Sequence, residues 1–406
     1  MRFFLTFSLF FLAARALHAD DWPQFLGPDR NGASAEKGLQ FSWPKQGPPL
    51  LWEKRVGAGF AGPVVAGWRL ILFHRLDNDE VVDCFDPETG KEQWSFKYPT
   101  TYRDDFGFDE GPRATPLIAG NQVFTLGAEG KLHCIDLASG QAIWQRSLSA
   151  DYASRKGYFG VGTSPLLAGD NLLINVGGRD AGIIALNKDT SKEVWRATNH
   201  EASYSSPVIA EWGGARHAVF LTREGIVAVN PADGAVTYQK QFRARGSASV
   251  NAASPLAADG HLFFSASYGT GAILLRPTDQ GMYEIWKSDD VLSNHYTTSI
   301  AQGGHLYGFD GRQEEGARLR CVELKSGKVA WTVEGFGCGS MILADGHLII
   351  LHEKGELIVA AASPSGYKEE SRAPLLNGPC RSAIALSNGH LHARDAHRLV
   401  CLNLKK

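Results

Sequence analysis

The chain has 406 residues and a formal net charge of −2, with 41 Lys+Arg set against 43 Asp+Glu along its length. That balance excludes the basic footprint of a nucleic-acid binder. Six cysteines in a chain this long are too sparse for a disulfide framework, and the length suits either two or three domains or one architecture repeated many times.

In chain order, the first element is MRFFLTFSLFFLAARALHA, residues 1–19. Arg2 precedes a mostly apolar run over 3–14 and Ala19 ends a small-residue site, which reads as a secretory signal peptide. The run is too short to span a bilayer, and no other segment reaches the ~18 apolar residues a spanning helix needs. No cysteine follows the cleavage region. The expectation is an exported chain, periplasmic or extracellular, with no membrane span and no lipid anchor. Residues 20–49 form an N-terminal lead-in, and 50–406 are filled by a repeat.

One half of the repeat is CFDPETGKEQW (84–94), CIDLASGQAIW (134–144) and CVELKSGKVAW (321–331), with looser copies ALNKDTSKEVW (185–195) and AVNPADGAVTY (228–238). The other half, as in TPLIAGNQVFTLG or SMILADGHLIILH, is an apolar run, a Gly-containing turn and a second apolar run. Short runs rich in Val, Ile, Leu and Phe between turn residues predict β-strands, and Asp-Gly or Ala-Gly pairs predict tight hairpins. Each unit is thus four antiparallel strands, A to D, the blade of a propeller. Outer aromatics at Trp52, Trp94, Trp144, Trp195, Tyr238, Trp286, Trp331 and Tyr367 count eight blades. Trp52 has no strands A–C before it, and the last segment, SAIALSNGHLHARDAHRLVCLNLKK, has no strand D after it. The N-terminal strand is therefore expected to complete the C-terminal blade, giving an all-β, single eight-bladed β-propeller without exposed edges.

The DPETGKEQW pattern resembles the quinoprotein-like (PQQ-like) propeller repeat, and WPQFLGPDRNG (22–32) resembles the segment that precedes the propeller in secreted bacterial members. The resemblance implies that the outer ring Trp52, Trp94, Trp144, Trp195, Tyr238, Trp286 and Trp331 docks each blade onto the next. It also implies two functional classes. One is the scaffold type represented by BamB, a lipoprotein that binds protein partners; the other is the PQQ-dependent alcohol dehydrogenases, which use Ca²⁺, a catalytic aspartate, a tryptophan beneath the quinone and usually a disulfide between adjacent cysteines. This chain has no adjacent cysteine pair and no lipid-anchor cysteine.

Most chemistry-bearing residues belong to the repeat itself. Cys84, Cys134, Cys321 and Cys401 hold one strand-C position filled elsewhere by Ala185 and Ala228, which marks a small core site. His261, His305, His347 and His390 follow the A–B turn of separate blades and cannot converge on a metal. His390, His392 and His397 lack a carboxylate or thiolate at a recognised ligand spacing, so no metal site is assigned. The repeat breaks its own rule only where strand A begins. There Phe60, Arg113, Gly162, Tyr204, Ala252, Tyr296, Cys338 and Arg381 are equivalent, with Asn251, His295 and Cys380 one step earlier. Such a ring lines the channel mouth, and rule-breaking positions point to function. Two long loops, PTTYRDDFGFDEGP (99–112) and SADYASRKGYFG (149–160), enter the same face. Arg113, Tyr204, Asn251, His295, Tyr296, Arg381 and Asp109 are the expected ligand-binding residues, and Cys338 and Cys380, on neighbouring blades, are candidates for a disulfide. The leading expectation is a non-catalytic scaffold that binds a protein or small-molecule ligand at the mouth, with no cofactor. The alternative is a PQQ-dependent dehydrogenase oxidising an alcohol or sugar with Ca²⁺, in which Arg113 or Arg381 pairs the quinone carboxylates and Asp109 is base or Ca²⁺ ligand.

Overall fold

The computed structural model describes residues 21–244, 246 and 249–406, so the signal-peptide reading lies outside the described residues. Those residues form eight four-stranded sheets, each pairing its neighbours in order. In the first blade the strands are Val64–Ala66, Arg69–Leu76, Asp79–Phe85 and Glu92–Pro99. Six more blades follow over 117–147, 166–197, 208–241, 256–288, 300–333 and 339–374. The eighth is built from Ala385–Ser387, His390–Arg394 and Arg398–Asn403, and Leu50–Arg55 pairs antiparallel with its outer side. The ring closes as the sequence implies. Among the described residues no helix is long and apolar enough to cross a membrane.

The burial patterns follow from this stacking. The second and third strands of each blade are covered on both faces by neighbouring blades, so they read as unbroken apolar runs such as LILF or LIIL. The outer strands alternate between exposed and half-buried residues. At the A–B turns Gly213–Gly214, Asp259–Gly260, Gly303–Gly304, Asp345–Gly346 and Asn388–Gly389 all take positive φ, the geometry that matches the twist of a two-residue hairpin. His261, His305 and His347 donate Nδ1–H to the carbonyls of Asp259, Gly303 and Asp345, two residues back, so these histidines fasten turns.

The outer tryptophans are staples. The indole N–H of Trp52 donates to Pro87, Trp94 to Leu137, Trp144 to Lys188, Trp195 to Pro231, Trp286 to Leu324 and Trp331 to Ser363, at 2.8–3.1 Å. Each acceptor lies in the C–D turn of the next blade. The turn glycine is there because the ring lies against it: a Cβ on Gly140 would stand 2.6 Å from Trp94, and one on Gly90 2.7 Å from Trp52. Cys84, Cys134, Cys321 and Cys401 pair across to the same aromatics, where burial pushes their thiols up to about 11–12.

Tyr367 is not the outer-strand aromatic of the seventh blade. In that blade Ser371 holds the strand-D position, pairing Val359, while Tyr367 lies in the turn against Trp331. The lead-in replaces the missing staple, since Ser371 Oγ donates to the Phe41 carbonyl and Phe41 packs on His347.

That lead-in also plugs the channel. Trp22 exchanges backbone hydrogen bonds with Val65, Ile118 N–H donates to Pro23, and Leu343 bonds Gly32 and Ser34, which joins the segment to the innermost strands of the first, second and seventh blades. Arg30 is buried; its guanidinium donates to the carbonyls of Ser164, Pro165 and Pro207 in the third and fourth blades. Above it runs a belt. The backbone N–H groups of Gly62, Thr115, Ser164, Ser206 and Ser254 each donate to the hydroxyl of the next blade's equivalent residue, Thr115, Ser164, Ser206, Ser254 and Thr298, at 2.9–3.1 Å. The Ser/Thr-Pro signature of the repeat is this belt.

His392 occupies the central strand-B position that holds Ile71, Phe124, Leu173 or Tyr307 elsewhere. Among the described residues neither ring nitrogen has a hydrogen-bond partner, and burial, assisted by nearby His390, depresses its pKa to about 3. The folded chain therefore resists protonation that the unfolded chain accepts near 6.5. Stability is complete above about pH 6.5 and falls as pH drops toward 3, by up to about 1.4 kcal/mol per pH unit from this residue. His392→Leu is expected to flatten that acid limb, read as the urea midpoint between pH 7 and pH 4; an unchanged slope would show that His392 does not set it.

Candidate functional site

Strand A starts at the mouth, and the aligned ring residues all stand four positions before the strand-A residue that faces the centre of strand B. Six of the eight make a continuous arc. The Arg113 guanidinium lies 5.4 Å from the centre of the Phe60 ring and Arg381 lies 5.8 Å from the same ring. Arg381 also reaches Tyr296, 5.9 Å away. On the other side Gly162 leaves room for Tyr204, whose Cδ1 would stand 2.8 Å from a Cβ there. Two cations sharing one aromatic ring is a favourable arrangement for the ring, and each guanidinium is balanced by a carboxylate, Arg113 by Asp104 and Arg381 by Glu353.

The long loops are what hold these side chains. Asp104, its side chain fully buried, accepts from the amides of Phe106, Phe108 and Asp109 and from Arg113 Nη2 at 3.0 Å. Burial alone would raise its pKa; the amides of Phe106 and Asp109 and the arginine outweigh that and lower it. The hairpin so tied presents Phe106 and Phe108, 57% and 52% exposed. They meet Phe159 of the second loop at 5.3 and 5.9 Å, and Phe108 caps Arg381 at 5.3 Å. Tyr204 Oη accepts from Phe159 N–H at 2.8 Å, which locks the second loop to the ring. Arg381 is aimed by Glu353, whose Oε1 accepts from Nε and Nη2. Beneath Tyr296 and Arg381 a cavity of about 40 Å³ is floored by Phe25 and Leu26 of the plug, so the mouth is a cup.

Three expectations for this region change. Asn251 is buried, and its amide donates to the carbonyls of Thr222 and Phe242 at 2.8 and 3.3 Å, so it braces a loop. Asp109 accepts from the amides of Gly59 and Gly111 and faces the buried Arg394, fixing the hairpin base. Cys338 and Cys380 are both free, buried thiols, packed in different core clusters, and do not form a disulfide. His295 does lie on the mouth face: Nδ1–H donates to Gln313 Oε1 at 2.6 Å and Nε2 accepts from Tyr268 at 2.8 Å, and burial, against the Gln313 bond, holds it neutral. Glu353 and the plug residues Phe25, Leu26 and Arg30 escaped sequence reasoning, because no repeat position marks them.

A broader cleft opens beside the cup. It measures about 600 Å³ and is bordered by Gln313, Phe336, Cys338, Glu353, Lys354 and Asn377, all from mouth-face loops of the sixth to eighth blades.

The mouth does not fit a calcium–quinone centre. Asp104, Asp109 and Glu353, the carboxylates closest to the two arginines, are each engaged by backbone amides or guanidinium donors. No group of three or more His, Cys, Asp or Glu among the described residues is placed to hold a metal. The ring supplies Phe and Tyr where a quinone platform needs an indole, and the staples are spent on blade contacts.

A family described as outer membrane protein assembly factor BamB matches residues 78–333. The outer membrane protein assembly factor BamB of Yersinia pestis is 22% identical over 293 residues, 69% of this chain and 71% of that protein. The crystal structure of BamB from Moraxella catarrhalis superposes with a TM-score of 0.65 at 16% identity, covering 88% of this chain and 98% of that one. A quinohemoprotein alcohol dehydrogenase from Pseudomonas putida HK5 reaches the same TM-score at 13% identity, covering 95% and 80%. Likeness at these identities shows the fold, which scaffold and enzyme share.

Proposed function

The chain belongs to the family described as outer membrane protein assembly factor BamB, and from that premise we propose that it is an exported, non-catalytic scaffold that binds protein partners through its loop-rich mouth face. The relatives' name places them in outer membrane protein assembly, and a role alongside that process in the periplasm agrees with the signal-peptide reading of residues 1–19. The observation that carries the mouth face is the pair of exposed rings, Phe106 and Phe108, on a hairpin held rigid by Asp104 and Arg113. Exposed aromatics on a preorganised loop, beside arginines, have the composition of binding hot spots, and a rigid loop loses little entropy when it docks. Arg113, Tyr204, Tyr296 and Arg381 form the support beneath them, with His295 at the rim.

The double variant Phe106→Ala/Phe108→Ala is expected to lose partner capture by at least about tenfold while keeping its fold, because both rings are more than half exposed. Quantitative affinity capture from periplasmic extract, with circular dichroism as the folding check, measures it. Capture unaffected by the double variant would remove the mouth hairpin from the interface, and a measurable turnover with no recovered partner would sink the scaffold reading itself.

A further inference from the structure

We propose that the 600 Å³ cleft between the sixth and eighth blades seats an extended segment of a protein partner, one that carries a carboxylate beside an apolar side chain. This rests on the scaffold reading above and names the chemistry of what the scaffold holds. The volume lies within the range of ligand sites, ~300–1,000 Å³, and the cleft is an open trough.

Its walls suit a peptide. Gly316, Gly335, Gly337 and Gly378 border it, and a Cβ added at Gly316 or Gly335 would meet nothing within 4 Å. Main chain rather than side chain therefore faces the trough there, which lets an extended backbone approach closely, the basis of main-chain recognition of peptides. Phe336 supplies the apolar surface. Its other faces are taken by Phe309, His352 and Tyr367, so it is a fixed wall. His352 locks the bend beside it, donating Nε2–H to the Phe336 carbonyl at 2.8 Å and accepting from Lys354 N–H on Nδ1 at 3.1 Å.

Charge selects the acid. The one carboxylate on the wall, Glu353, is drawn onto Arg381 at 2.7 Å. Lys354, exposed, makes no ion pair among the described residues, and the side-chain amide of Asn377 and Nε2 of Gln313 add uncommitted donors. Among the described residues that line the cleft, an incoming carboxylate meets one free ammonium and neutral donors, whereas an incoming ammonium meets Lys354 and no carboxylate but the one held by Arg381. Complementarity of this kind sets specificity more than raw affinity.

The full chain, immobilised and challenged with a random-peptide display library, tests this. Enriched sequences are expected to pair Asp or Glu with an aromatic or aliphatic neighbour. Synthetic copies should bind about tenfold or more weakly to Lys354→Glu, normally to Lys354→Arg, and normally to Trp68→Ala, on the far face. Neutral or basic winners, no enrichment, or indifference to Lys354→Glu would each overturn the proposal. So would self-association in sedimentation with the chain's own 102–112 segment as the strongest binder, since the occupant would then be a second copy. If partner capture still depends on Phe106 and Phe108 while Lys354→Glu changes nothing, the cleft assignment falls and the scaffold reading stands.

Discussion

Trp52→Ala is expected to lower the stability of the ring by about 3–5 kcal/mol, the cost of emptying a buried large aromatic site. Trp52 belongs to the strand from the N-terminal side that completes the eighth blade, opposite Cys401, and its indole donates to Pro87 of the first blade at 3.0 Å. Truncation removes the ring packed on Gly90, orphans a buried carbonyl and loosens the one seam where the two ends of the repeat meet. Trp68, 56% exposed in an A–B turn, is the control, where the same substitution should stay within about 0.5 kcal/mol. Denaturation midpoints decide between them. Equal midpoints for the two variants would show that the closing staple is dispensable.

Arg30→Ala is expected to cost about 3 kcal/mol or more. The carbonyls of Ser164, Pro165 and Pro207 lose their donor inside the channel, and each orphaned buried acceptor costs about 1–3 kcal/mol. Arg30→Lys should recover part of the loss, because an ammonium can serve one carbonyl but not the fork of three. The released lead-in should become sensitive to limited proteolysis between residues 21 and 45, while the blades stay resistant. A plug that remains protected in Arg30→Ala would mean that the backbone pairings of Trp22 and Gly32 hold it unaided.

Both effects concern the joints of the ring, and they separate what is local from what is not. Trp94, Gly140 and Cys134 were legible because the reason for each recurs in every blade at fixed spacing: ring, turn and small core residue meet across one blade boundary. Tyr367 was misplaced because its C–D turn is longer and the lead-in supplies the missing contact through Phe41. The mouth was legible in part. Repeat alignment put Arg113, Tyr204, Tyr296 and Arg381 at one ring, and Arg381 and Tyr296 do lie together there; it could not tell that the polar atoms of Asn251 and Asp109 are consumed by loop carbonyls and amides.

The sequence alone determined eight blades, their closure by the N-terminal strand and the face where the repeat becomes irregular, since each is written in short signals repeated along the chain. Only the tertiary structure decided that the lead-in plugs the channel, that Asp104 and Glu353 aim the two arginines, and that a glycine-walled cleft opens beside them. Those contacts join segments far apart in sequence, as Arg30 meets Pro207. They exist only once the ring has closed, and no local pattern encodes a distance across it.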